Sequence, residues 1–298
     1  MDRELLAHFP VVLAVARRGG FAAAAAALGM SPSAVSHAVR TVEERLGQPL
    51  FARTTRSVAL TEAGASFVAE VGPALAAVED SVERIREREG QVTGLLRINA
   101  PGLALSLALA PALLSMSRLH PAVTVEITAD EALVDIIASG FDAGVRLGEM
   151  IAQDMVTVRL TRPFKAIMVS SPAYLEAHPA PRSIAGLAAH NCIGYRLRSS
   201  GAVYVWDLQE GGRDISVEVT GSCRVTDPRL ARELALEGVG IAYLFEPLVR
   251  HDLAAGRLKQ VLPAASIEEP GLFLYFPRHA SQAPKLRAFI EVVRTTVR

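Results

Sequence analysis

Apolar residues recur at helical spacing from the first residues of the chain. Leu5, Phe9, Leu13 and Ala16 form one stripe, which predicts a helix over 5–17 that Gly19-Gly20 ends. Phe21, Ala24, Ala25 and Leu28 form the buried stripe of a second helix, closed at Gly29. Ser31 as a cap and Pro32 in the first turn open a third helix, with Val35, Ala38, Val39, Val42 and Leu46 facing inward. Ser33, Ser36, His37 and Arg40 then fall at i, i+3, i+4 and i+7, on one outward face. A polar outer face belongs to any small helical domain. Here a tight turn precedes the helix, and a hairpin with Arg53, Thr54, Thr55 and Arg56 at its tip follows. That order suits a helix laid in a DNA groove with a flanking wing.

The pattern changes over 61–89. Val68, Val71, Leu75, Val78, Val82 and Ile85 recur at alternating spacings of three and four, a seam too narrow for a globular core and suited to a partner helix. The competing reading packs this helix on its own domain. Pro73 lies inside the seam and predicts a kink or a late helix start. Gln91 to Gly94 reads as a hinge. Beyond it strands alternate with helices: a strand at LLRIN, a helix from Pro101, a strand at VTVEI, a helix at LVDIIASG and a strand at FDAGVRLG. Such alternation predicts βαβ units and a parallel sheet. Further strands are expected at 165–170, 192–195, 204–208, 215–219, 240–243 and 272–276. A helix is expected between Asp227-Pro228 and Gly238, and Leu286, Phe289, Ile290 and Val293 mark a closing amphipathic helix.

Composition narrows the picture. The 298 residues carry zero formal net charge, so whole-chain charge says nothing about nucleic acid. Residues 1–61 are different, with seven arginines against four acids, the local basic face that phosphate contact needs. No cationic leader precedes an apolar segment, and the apolar stretch 103–114, bounded by Pro101 and Pro111, is shorter than a bilayer span. Two cysteines give neither a disulfide framework nor metal spacing, and a reduced cytoplasmic setting is expected. No Gly-rich phosphate loop, nucleophile elbow or metal-ligand cluster is present, and the seven histidines are scattered. An enzyme, a cofactor and a bound metal are therefore not expected.

The block FAAAAAALGMSPSAVSHAVRTVEERLGQPLFARTTRSVALTEAG resembles the LysR-type transcriptional regulators. GLLRINAP, FDAGVRLGE and GVGIAYL extend the resemblance over the full length. It implies an α + α/β architecture: an N-terminal winged helix-turn-helix over 1–61, a long dimerising linker helix with its hinge over 62–91, and a C-terminal two-lobed α/β effector domain of the periplasmic-binding-protein type over 92–298. Lobe I would comprise about 92–161 and 266–298, and lobe II about 162–265. Homodimers or homotetramers on double-stranded promoter DNA are implied. Two positions depart from the pattern. Gly20 stands where a hydroxyl residue usually caps the first motif helix. Asn99-Ala100-Pro101 lacks the Ser or Thr common at the helix start after the first sensor strand, which weakens any carboxylate clamp there.

On this reading Ser33, Ser36, His37 and Arg40 enter the major groove, with Arg40 reaching either guanine or a phosphate; Arg53 and Arg56 hold backbone or a narrow minor groove, Ser31, Thr54 and Thr55 donate to phosphate, and Pro32 stands with them at the DNA. The effector is expected where strands end: Ala100, Pro101, Gly102, Thr128, Ala129, Arg146 and Leu147 from one lobe, and Tyr195, Arg196, Tyr204, Trp206, Asp227 and Tyr243 from the other. Four aromatics and two arginines suggest a small aromatic or anionic ligand. Asp227 also reads as a plain helix cap, and Arg146 as a structural bridge to Asp142 or Asp130. A redox sensor using Cys192 and Cys223 is the alternative to a ligand-driven switch, Arg224 beside Cys223 being its support.

Overall fold

The computed structural model describes residues 3–53, 58–87, 91–132 and 134–296. Helices Arg3–Arg18, Phe21–Leu28 and Pro32–Leu46 pack around Val12, Val15, Ala24, Val35, Val39 and Val42. Strands Phe51–Arg53 and Val58–Leu60 pair antiparallel behind them. Local chemistry sets the boundaries. The Ser31 hydroxyl accepts from the Ala34 amide at 3.1 Å, while Gly29 and Gly47 close their helices in left-handed conformation. Gly20 caps the second helix without any side-chain bond. Two residues expected in the core are not in it: Leu28 is 38 % and Leu46 45 % exposed. Each is the last residue of its helix, beyond the edge of the domain it was expected to face.

The root of the hairpin is tied on both sides. Glu43 Oε1 accepts from the amides of Leu50 (2.8 Å) and Phe51 (3.2 Å). The Thr61 hydroxyl donates to the Pro49 carbonyl and accepts from the Gly64 amide. The next helix, Glu62–Glu87, starts there and includes Pro73, so of the two expected outcomes, a kink or a late start, the late start does not occur. Val68 is 2 % exposed and so is spent inside the chain rather than on a partner. Its neighbour Phe67 sits edge-on to Phe9 at 5.1 Å. Val71 and Leu75 are half-buried, Val78 is 61 % and Val82 46 % exposed, and the side chain of Ile85 lies outside the described part. The narrow seam therefore serves two surfaces: its first turns cover the N-terminal core, whereas Val78 and Val82 farther along face away from it.

The remainder forms two sheets. One has five strands: Val123–Ala129, Gly94–Ala100, Ala143–Leu147, Leu272–Pro277 and Met155–Arg159, in that spatial order. The other has six, built around Phe164–Ser170 and Ile241–Phe245. Both are mixed, not parallel as expected. Leu272–Pro277 runs antiparallel to both its neighbours, and Ile241–Phe245 is antiparallel to Phe164–Ser170 but parallel to Cys192–Tyr195. The chain crosses between sheets twice, and the crossings lie side by side. Leu160 and Leu272 are bonded through their backbones, Thr161 Oγ1 accepts from the Leu272 amide, and Gly271 at φ +93° sits against the Thr161 and Arg162 carbonyls. The expected helix over 133–140 is absent where described: residues 136–140 are turns, with Asp135 Oδ1 accepting from the Ile137 and Ala138 amides. Over Gly140, at φ +72°, lies the Arg17 side chain of the first helix, so close that an added methyl group would overlap it.

Helix Gly102–Leu119 is long and apolar enough, by length and composition, to cross a membrane, and longer than the 103–114 run suggests. It packs instead against the five-stranded sheet through Ala104, Ala108, Leu109, Ala112 and Met116. A π turn over Leu105–Leu109 precedes Pro111, which has no N–H to continue the ladder. In the six-stranded unit Asp252 is fully buried and bonds both Arg232 (2.6 Å) and Arg257 (2.5 Å). Burial alone would raise its carboxyl pKa; the two guanidinium groups outweigh it and hold the group below the usual carboxylate value. A depressed carboxylate stabilises the fold above its unfolded pKa near ~4 and loses that contribution as pH falls. Asp252→Asn should thus cost on the order of 3 kcal/mol at pH 7, with the gap to the parent in thermal melts closing below about pH 4. A gap that is constant from pH 7 to pH 3 would assign the loss to packing.

Candidate DNA interface and ligand cleft

Helix Pro32–Leu46 turns Ser33, His37 and Arg40 to solvent, with Ser36 half-buried beside them. Ser31 and Pro32 are also exposed at its start, where Ser31 Oγ lies 2.9 Å from Ser33 Oγ. Ser31 is therefore a helix cap first, its oxygen already engaged by the Ala34 amide. Glu43 does not compete on this face, being used at the hairpin root, whereas exposed Glu44 lies one turn beyond Arg40 on the same side of the helix. Arg53 ends the first hairpin strand, while Thr54, Thr55 and Arg56 lie outside the described residues.

Between the two sheets lies a cavity of about 360 Å³. Seven of the residues expected at an effector site line it: Pro101, Arg146 and Leu147 from the five-stranded unit, and Tyr195, Tyr204, Trp206 and Tyr243 from the other. Six do not. Ala100 is buried behind the wall, Thr128 and Ala129 are exposed at their strand end, and Arg196 is exposed and bonds the Gly201 carbonyl. Gly102 is covered by the Arg229 guanidinium. Asp227 caps helix Pro228–Leu236 through the Arg229 amide and pairs with the Arg229 side chain at 2.6 Å. That side-chain bond holds its carboxyl below the ordinary value.

The aromatic wall is a stack: Tyr243 lies between Trp206, with centroids 5.4 Å apart, and Tyr204, at 6.5 Å. The Tyr204 hydroxyl donates to Asp207 Oδ2 (2.6 Å) and the Tyr243 hydroxyl to the Asp207 carbonyl (2.5 Å). Burial pushes both phenols above their ordinary value, and Tyr195 up to about 12. All three are neutral donors at physiological pH. Opposite them Arg146, 3 % exposed, is fixed by Asn99 Oδ1 (2.6 Å) and by the carbonyls of Ala132 (2.5 Å) and Val145 (2.7 Å). Burial lowers its pKa from the arginine norm, against the pull of Tyr275, Glu131 and Asp130. It makes no bridge to Asp142, which is taken by Lys285 (3.1 Å) and the Arg97 amide, nor to Asp130, which faces Arg198 at 4.0 Å.

Sequence reasoning passed over Glu131, Asp207 and Glu269, all on the cavity wall. Glu131 and Asp207 adjoin positions that were singled out, so strand-end position could have found them. Glu269 sits on strand Ile267–Glu269, which no alternation marked. Cys192 is buried, its thiol pushed up to about 11 by desolvation, so little thiolate forms at neutral pH; Cys223 is half-buried.

Comparison with known proteins resolves the family. The family described as "LysR substrate binding domain" matches residues 89–298, and "Bacterial regulatory helix-turn-helix protein, lysR family" matches residues 6–65. The chain is 36 % identical to the uncharacterized HTH-type transcriptional regulator YcaN of Escherichia coli (strain K12), with 98 % of this chain and 96 % of that protein covered. It is 35 % identical to the HTH-type transcriptional regulator PgrR of the same strain, with 95 % of each covered. Among solved structures, CrgA, a LysR-type transcriptional regulator from Neisseria meningitidis, superposes with a TM-score of 0.61 at 26 % identity, over 99 % of both chains. The exposed helix face, the hairpin behind it and the walled cavity between two sheets thus have their explanation in kinship: the chain belongs to the LysR family of DNA-binding transcriptional regulators, with an N-terminal helix-turn-helix and a C-terminal effector-binding domain.

Proposed function

We propose that this protein binds a specific promoter sequence as a homo-oligomer and that a small molecule held between the two α/β units sets its activity. The observation that carries the reading is the cavity itself, whose wall draws on both sheets while the only direct chain connections between them are the two adjacent crossings. A ligand touching both walls favours one spacing of the units over another, and only such a difference can shift an equilibrium. Residues 1–61 act as the reader, 62–91 as the linker and 92–298 as the sensor, the last dividing into a lobe of about 92–161 with 266–298 and a lobe of about 162–265. Bare Val78 and Val82 support pairing of linker helices between copies. The protein works in the cytoplasm, where its DNA is. A thiol switch finds no support in Cys192, whose burial opposes the thiolate.

Within the reader, Ser33, Ser36, His37 and Arg40 contact base edges, Arg53 and Arg56 grip backbone, and Ser31, Thr54 and Thr55 face phosphate. The test is a comparison of promoter and random DNA by fluorescence anisotropy over a salt series. Arg53→Ala should weaken both alike and flatten the salt slope by about one counterion. Arg40→Ala and His37→Ala should cost roughly 1–3 kcal/mol on the promoter alone. Equal losses on both DNAs for every substitution would sink the assignment of readers.

A further inference from the structure

The cavity carries a charge imbalance that names the kind of ligand it takes; the argument rests on the reading of this cleft as the effector site. Three carboxylates, Glu131, Asp207 and Glu269, line the wall against one cation, Arg146. Glu269 is 6 % exposed and sits on the aromatic side. The place where an anion would dock is filled by the chain itself. Gly102 supplies the first N–H of helix Gly102–Leu119, Pro101 before it having none, and that N–H donates to Glu131 Oε1 at 2.9 Å. Arg146 is committed as well: Nη1 and Nη2 bond Asn99 and two backbone carbonyls, and only Nε is without a partner. Across the cavity, the half-buried Tyr204 and Tyr243 of the stack lie beside Glu269 and Asp207, whose carboxylate accepts from the Tyr204 and Ser216 hydroxyls, an acidic aromatic setting that suits an ammonium group.

We propose that the cleft takes a small organic monocation, an amine on an aromatic body that also carries an uncharged acceptor. We propose too that Glu131, as the chain's own carboxylate on the helix amide, is the residue that keeps carboxylate ligands out. The ammonium lies against the aromatic stack and the acids of the six-stranded unit. The neutral acceptor faces the Arg146 side. Burial raises the Glu131 carboxyl above its usual value, so a second anion beside it would meet a group already short of solvation. The anionic effector suggested by two arginines in the sequence gives way, because Arg196 is off the wall and Arg146 is already engaged.

Three nearly isosteric probes test this on the full-length protein by titration calorimetry: tyramine, the neutral alcohol tyrosol and 3-(4-hydroxyphenyl)propionate. Trp206, the single tryptophan, lies in the wall, so its emission under 295 nm excitation reports occupancy of the cleft itself. Tyramine should bind at least about ten-fold more tightly than tyrosol, with the acid undetected, and bound probes should change Trp206 emission. In Glu131→Gln binding of the acid should become detectable, and tyramine should lose at least about ten-fold in affinity. If that variant does not fold by circular dichroism, Glu131→Asp serves, its shorter carboxylate leaving the amide and narrowing the same preference. Acid binding the parent as well as tyramine, with a Trp206 response, overturns the charge rule and leaves the cleft reading standing. Heat without any Trp206 response places the ligand elsewhere and overturns both. Failure of all three probes to bind overturns the proposal alone, the cleft reading being judged by effector-dependent DNA binding.

Discussion

Gly64→Ala should abolish promoter binding while leaving the C-terminal unit folded. A Cβ at Gly64 would lie 2.0 Å from the Leu50 carbonyl oxygen and 2.9 Å from its carbon, both backbone atoms with no rotamer to yield. The same carbonyl accepts from the Thr61 amide at 3.0 Å, and the Gly64 amide is held by Thr61 Oγ1. One added carbon therefore pushes the first turn of helix Glu62–Glu87 off the hairpin root and strains the bonds that aim the wing. The overpacking costs at least about 2–3 kcal/mol. Because reader and wing act together, we expect a loss of DNA affinity of about a hundred-fold or more, each ten-fold being ~1.4 kcal/mol. Anisotropy with a promoter fragment and differential scanning calorimetry check this together. Parental affinity with a parental first transition would show that the root tolerates the methyl group and that the wing is aimed from elsewhere.

Asn99→Leu should be the most damaging single change in the sensor. Asn99 is 1 % and Arg146 3 % exposed, and among the described residues Asn99 Oδ1, at 2.6 Å, is the side-chain acceptor that the guanidinium bonds. Leucine fills similar space but leaves a buried cation with two carbonyls and no Asn oxygen. Removing one partner of a buried charged group costs about 3 kcal/mol or more. Arg146→Met alone should cost less, since it removes the charge along with its need for partners. The double variant should be more stable than Asn99→Leu, a coupling read directly from a double-mutant cycle by urea unfolding. Additive losses would mean that Arg146 is solvated through the cavity and does not depend on Asn99.

How far the sequence reaches is set by how local the signal is. The three N-terminal helices were legible nearly residue by residue, because Ser31-Pro32 and Gly29 act within one turn of where they stand. Its misplacements, Leu28 and Leu46, are at helix ends, where periodicity continues past the surface that buries it. The seam over 68–85 was read as one surface, yet periodicity cannot tell an intramolecular neighbour at Val68 from bare surface at Val78. Strand positions were legible, but their direction was not. Leu272–Pro277 returns from far along the chain to lie between Ala143–Leu147 and Met155–Arg159, a pairing without a local trace. The same limit governs the cleft. Residues at strand ends were found on its wall, whereas Glu269 arrives there on the return crossing and Glu131 by reaching back to an amide 29 positions earlier.

The Arg17 side chain lying across Gly140 has a bearing on how a message leaves the sensor. The loop it rests on follows strand Val123–Ala129 and leads into Ala143–Leu147, whose Arg146 stands at the ligand wall. Within one chain this contact joins the first helix of the N-terminal domain to the segment that leads into a strand of the cavity wall, so the two domains touch at a point other than the linker helix.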